Sequence, residues 1–197
     1  MERRLAAYET VVFDIGGVLL SFDPPELVKH FFPEEVRQPL YDTMFGGDWP
    51  WGRFDLGADP NERIAEELAR QAGVEGGDRL ILDMLYGFCR YMEPLPLSRS
   101  IPELKQAGKR VYLLTNYAQP SLSLSMERFP FLKMADGYVC SAEEKLTKPD
   151  PEIFRVLCRR YEIDPAKAIF IDDNAPNTAA AEKLGFHVWN YHAGEAE

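Results

Sequence analysis

The sequence predicts an α/β protein, a parallel sheet covered by helices on both faces, with a small all-helical unit inserted after the first strand. Three observations carry this reading. Short apolar runs ending in polar or glycine-containing segments recur at residues 10–13, 110–114, 168–171 and 187–190, with a weaker one at 137–140, as expected of strands buried on both faces. Helical patterns at 101–107, 119–128, 151–161 and 175–184 fall between them, which is the rhythm of βαβ units. About a hundred residues separate the first run from the second, far more than a crossover connection requires.

That long interval has its own pattern. Helical periodicity covers residues 24–32, 34–45, 60–72 and 77–92, with Gly and Pro breakers between, so a helical cap is expected. Asp59 followed by Pro60 reads as an N-cap and a first-turn proline, and Gly73 as the residue ending the same helix. The division expected is a sheet-bearing core of residues 1–22 and 93–197 with a cap of residues 23–92.

A chain of 197 residues with 46% hydrophobic, 12% aromatic and 27% charged residues has a globular composition, which argues against disorder and disulfide-dense scaffolds. The net charge of −10 and the lack of any basic run make nucleic acid an improbable partner. An anionic substrate would have to be held locally, by a metal ion, a lysine and backbone N–H groups. Cys89, Cys140 and Cys158 are odd in number and far apart, and are read as buried thiols. No membrane span or secretory signal is recognised, so a cytoplasmic address is expected.

Four segments carry chemistry. Asp14 closes strand one and precedes Gly16 and Gly17, whose bare backbone allows close approach of a ligand. A carboxylate there is a candidate nucleophile or metal ligand, or a loop cap. Thr115 and Asn116 end strand two and offer a hydroxyl and an N–H, suited to a phosphoryl oxygen or to starting a turn. Lys148 precedes a proline-initiated helix and is a candidate fixed charge, although a surface lysine is the plainer reading. Asp172 and Asp173 are adjacent acids at a strand end, costly without a cation.

In the order Asp, Thr-Asn, Lys-Pro, Asp-Asp, these four elements resemble the four motifs of the haloacid dehalogenase superfamily, most of whose members are phosphatases. The resemblance spans almost the whole chain and implies a Rossmann-like core with a cap inserted between the first two motifs. The segments Phe13-Asp14-Ile15-Gly16-Gly17-Val18 and 170–177 look most like a bacterial subgroup that includes an α-glucose-1-phosphate phosphatase. The resemblance implies that Asp14 attacks phosphorus and, with the Gly16 carbonyl and Asp173, ligates Mg²⁺. It further implies that Thr115, Asn116 and Lys148 hold the phosphoryl oxygens and that Asp172 orients Lys148. The expected activity is hydrolysis of a small phosphorylated metabolite, a sugar phosphate by preference, through an aspartyl-phosphate.

The match departs at Gly16, where family phosphatases usually carry a second aspartate as general acid and base. Asp23, just beyond strand one, is a weak candidate for the missing group and reads better as turn chemistry. Two alternatives therefore stand: a catalytically silent phosphate-binding regulatory protein, and a metal-independent 2-haloacid dehalogenase, against which Asp173 argues. The cap holds Phe45, Trp49, Trp51, Arg53, Phe54, Tyr86, Phe88 and Tyr91. Most should be core, and the turn-rich stretch 46–57 is where substrate recognition is expected.

Overall fold

The structure is a computed structural model and describes residues 4–192. Five parallel strands form one sheet: β1 (Thr10–Phe13), β2 (Arg110–Thr115), β3 (Gly137–Cys140), β4 (Ala168–Asp172) and β5 (His187–Asn190), in the order β3-β2-β1-β4-β5. Phe13 stands level with Leu113 on one side and Ile171 on the other. Asp14, the next residue, therefore leaves the sheet at the same rim as Thr115 and Asp172.

Alternation along the strands divides the core between the two faces. Val11, Phe13, Val111, Leu113, Ile169 and Ile171 point to one side, while Val12, Tyr112, Leu114 and Phe170 point to the other. The second side is covered by α9 (Pro151–Tyr161) and α10 (Ala175–Lys183), through Ile153, Phe154, Leu157 and Ala181. The first side carries α6 (Ser100–Gln106) and α7 (Ser121–Arg128), and its apolar cluster runs on without a break into the inserted helices.

The insertion consists of α1 (Pro24–Phe31), α2 (Glu34–Phe45), α3 (Gly52–Leu56), α4 (Asn61–Ala72) and α5 (Gly77–Gly87). Its two connections to the sheet pair with each other. Leu20 bridges Pro94 antiparallel, and the Ser21 N–H donates to Glu93 O at 2.9 Å. Gly73 ends α4 in the left-handed region, as its sequence position requires. The expected Asp59 cap does not form: Pro60 occupies the N-cap position without a side-chain bond, and Asp59 pairs instead with Arg53 and Arg63. Once Pro60 caps through its backbone, the nearby cations are the better partners for Asp59.

Two short helices lie where turns or no element were expected. One is α3, inside the stretch 46–57, and the other is α8 (Ser141–Glu144), directly after β3. The expected helix over 77–92 stops at Gly87 and continues as a 3₁₀ turn over Phe88–Tyr91. Cys89 and Cys140 are buried, whereas Cys158 on α9 is half-buried, packed at the margin of the core; all three are free thiols. Among the described residues no helix is long and apolar enough to cross a membrane.

Candidate active site

At the carboxyl rim of the sheet, Lys148 is buried between two carboxylates. Its Nζ lies 2.9 Å from Asp14 Oδ1 and 2.7 Å from Asp172 Oδ2. A buried ammonium needs such partners to remain charged. Burial works against the charge, but Asp14 and Asp172 together outweigh it and lift the lysine above its ordinary pKa.

Each of these groups is fixed by neighbours. Asp172 accepts from Asn177 Nδ2 at 3.0 and 3.1 Å and from the Asn174 N–H at 2.8 Å, so its oxygens are taken up by protein donors. Asn116 bonds both ends of residue 148: Oδ1 accepts from the Lys148 N–H at 2.8 Å, and Nδ2 donates to the Lys148 carbonyl at 3.0 Å. The lysine thus leaves its loop from a clamped peptide. Asp14 Oδ1 also accepts from the Ile15 N–H at 2.7 Å.

Asp14, Asp172 and Asp173 offer carboxylate oxygens within 4.8 Å of one another. Burial pushes Asp14 up to about 7 against the pull of Lys148, with Asp172 and Asp173 adding to the rise. Asp173 is also raised, by burial and then by the charge of Asp172. Such a cluster gains from a cation. Asp172 is already saturated, which leaves Asp14 and Asp173 with outward oxygens. The donors are all hard oxygens, the set that suits Mg²⁺ rather than zinc. Gly17, at φ +72°, is packed so closely on Asp173 that a Cβ would overlap its carboxylate, so the chain leaves room there for this acid and no more.

These groups line a cleft of about 600 Å³ between sheet rim and insertion. Its floor holds Asp14, Gly16, Gly17, Asn116, Lys148, Asp173 and Asn177. Phe22, Trp49, Trp51, Phe88 and Met92 make an apolar wall, and Asp55 is a carboxylate reaching it from the insertion. Of the aromatics singled out in the sequence, Phe45 and Phe54 are buried beneath this wall. Tyr91 stacks on His30 at 3.9 Å, and Arg53 pairs with Asp59 and Glu67.

The structure brings together Asp14, Gly16, Asn116, Lys148, Asp172 and Asp173. Thr115 is buried at the end of β2, level with Cys140. Asp23 is not brought to the cleft. Its carboxylate accepts from the Glu26 N–H at 3.3 Å, capping α1, while Phe22 and Pro24 on either side line the cleft. Sequence reasoning missed Asn177, which sits one turn into α10 and holds Asp172, and Asp55. The only signal for Asp55 was the Phe54-Asp55-Leu56-Gly57 segment, too short to show helical periodicity.

Comparison with known proteins agrees with this geometry. Residues 8–185 match the haloacid dehalogenase-like hydrolases. Among curated proteins, the D-ribitol-5-phosphate phosphatase of Bacteroides thetaiotaomicron is 26% identical over 94% of this chain and 93% of its own length. Mouse acyl-CoA dehydrogenase family member 10 is 29% identical over 92% of this chain, which spans only 18% of that larger protein. Among solved structures, the magnesium complex of a HAD family enzyme from Bacteroides thetaiotaomicron superposes with a TM-score of 0.76 at 24% identity, covering 96% of both chains. With the family match running over residues 8–185, which hold the sheet, the insertion and the rim of acids, the chain belongs to the haloacid dehalogenase-like hydrolases.

Proposed function

We propose that the protein is a Mg²⁺-dependent phosphatase acting on a small phosphorylated metabolite through an aspartyl-phosphate on Asp14. The observation that carries this reading is the convergence of Asp14 and Asp173 beside the buried Lys148. An anionic nucleophile approaching an anionic phosphoryl group needs fixed positive charge on both sides of it. Lys148 supplies one such charge, held by Asp172, which Asn177 fixes in turn, so that it cannot swing away. Asp14, Asp173 and the Gly16 carbonyl would hold Mg²⁺, which supplies the second charge when bound. The Thr115 hydroxyl and the Asn116 peptide N–H would steady the phosphoryl oxygens, since the Asn116 side chain is committed to Lys148.

Residues 23–92 act as the cap in this reading, joined at the paired connections around Leu20 and Pro94, and they exclude water from the cleft during transfer. A sugar phosphate is the preferred substrate class. The aromatic wall offers a face for the C–H side of a sugar ring, and the ribitol-phosphate phosphatase relative acts on a polyol phosphate. The three free thiols support a reducing, cytoplasmic setting.

A panel of phosphate monoesters, assayed with Mg²⁺ and with chelator, tests the proposal. Turnover that needs Mg²⁺ and falls by roughly a thousandfold or more in Asp14→Asn is expected. Phosphate binding without turnover would favour the silent binding protein, and chelator-insensitive halide release would favour a dehalogenase.

A further inference from the structure

The reaction proposed above needs a proton for the departing alcohol and a base for the attacking water, and Gly16 supplies neither. We propose that Asp55, on α3 of the insertion, is the general acid and base, entering from the cap side in place of the side chain missing at position 16. The inference rests on the phosphatase reading of the same cleft.

The first argument is location. Asp55 lines the 600 Å³ cleft together with Asp14, Gly16 and Lys148. It also lines a second cleft of about 720 Å³, which shares Trp49, Asn116 and Lys148 with the first. The residue therefore borders two solvent-accessible spaces, one of which has the reacting groups in its lining.

The second argument is rigidity. A proton-transfer group must be held in place, and α3 is pinned to α8, directly after β3. Ser141 Oγ donates to the Asp55 carbonyl at 2.6 Å and itself accepts from the Tyr117 N–H at 2.9 Å. Gly57, at φ +61°, packs so close that a Cβ would come within 2.9 Å of Ala142 and Lys145. Lys145 Nζ donates to the carbonyls of Gly57 and Ala142. Phe54, fully buried, anchors the same turn from below.

The third argument is elimination. Among the described residues, the titratable side chains lining the cleft are Asp14, Asp55, Tyr117, Lys148 and Asp173. Asp14 and Asp173 make up the nucleophile and cation set. Lys148 is held charged by two carboxylates. The Tyr117 hydroxyl is paired with Ser125 at 2.8 Å, and burial keeps it well above the ordinary tyrosine range. Asp55 remains. Burial and then the charge of Asp14 push it up to about 7, against the pull of Lys148, while Tyr117 and Cys140 are the other titratable groups that feel its charge. A carboxyl poised near neutrality can both give and take a proton.

The steps balance. As an Asp14 oxygen bonds to phosphorus and the ester P–O bond breaks, the Asp55 carboxylic acid gives its proton to the departing alkoxide oxygen. The Asp55 carboxylate then takes a proton from a water whose oxygen attacks phosphorus. The bond from phosphorus to Asp14 breaks, releasing phosphate and restoring both side chains to their starting states.

The test compares wild type, Asp55→Asn and Asp55→Glu on an alkyl phosphate and on p-nitrophenyl phosphate, with acid-quenched phosphoenzyme measured alongside steady turnover. Asp55→Asn should lower kcat for the alkyl ester by roughly a hundredfold or more. It should leave p-nitrophenyl phosphate able to phosphorylate Asp14, and it should accumulate the phosphoenzyme because the water lacks its base. The wild-type kcat/KM for the alkyl ester should fall as pH rises through the Asp55 titration, and that limb should vanish in Asp55→Asn. Asp55→Glu should restore part of kcat. Equal losses of kcat/KM on both esters, a change confined to KM, or an unchanged pH profile would overturn the assignment. Wild type that turns over neither ester, or Asp14→Asn that remains active, would instead sink the phosphatase reading and leave a distinct signature.

Discussion

Gly17 occupies the left-handed region at φ +72°, and a Cβ on it would run into the Asp173 carboxylate. Gly108 shares that φ but has open space around it. The pair separates backbone strain from crowding. Gly17→Ala and Gly108→Ala should each cost about 1 kcal/mol of stability through the left-handed backbone alone. Only Gly17→Ala should weaken Mg²⁺ binding, by roughly tenfold or more, because Asp173 must move. Calorimetric titration of Mg²⁺ into the two variants checks this, and equal affinities would detach Asp173 from the cation. At this scale the sequence was readable where chemistry sits at strand ends or just before a helix: Asp14, Asp172 and Asp173 meet within a few ångströms, and Lys148 joins them from the turn ahead of α9. It was less readable where a side chain serves the backbone. Nothing in the Thr115-Asn116 pair says that the asparagine amide faces the Lys148 peptide, because that contact joins positions 32 residues apart.

The elements divide in the same way. Long periodic segments such as α9 and the buried strand β1 carry enough repeats to be located from sequence. Helices α3 and α8 span five and four residues, barely a turn each; isolated helices that short are not stable, so only tertiary contacts decide them. Those contacts join α3 to α8, and Ser141 is the joint, bonded to the Asp55 carbonyl and the Tyr117 N–H. Ser141→Ala leaves both groups without that partner in a buried setting, and a loss of about 1–3 kcal/mol is expected in denaturant unfolding. If α3 positions the proton-transfer group, the same variant should lower kcat more than it changes KM. An unchanged kcat would show that α3 keeps its place without this bond.

For the whole molecule, the charge balance sets the problem the site has to solve. A chain of net charge −10 gathers Asp14, Asp55, Asp172 and Asp173 around one buried lysine, and then, in the reading proposed, admits a phosphate. Sheet register supplies the acids of the rim: Phe13 pairs with Leu113 and Ile171, so Asp14 lies beside Asp172 and Asp173 although more than 150 positions separate them. That acids stand at strand ends was legible in the hydrophobic pattern; their convergence on one rim was implied by the family resemblance, and the strand order that achieves it comes from the structure. The insertion was legible as helical, but which of its side chains faces the rim depends on how it packs against the sheet, and for that reason Asp55 escaped notice while Asp23 drew it. The central claim is that Asp14 becomes covalently phosphorylated. Brief reaction of the full chain with a phosphate monoester, acid quench and peptide mass spectrometry tests it most directly. The account predicts one phosphoryl group on the peptide carrying Asp14, formed with Mg²⁺ and absent with chelator; steady hydrolysis with no label on that peptide would contradict it.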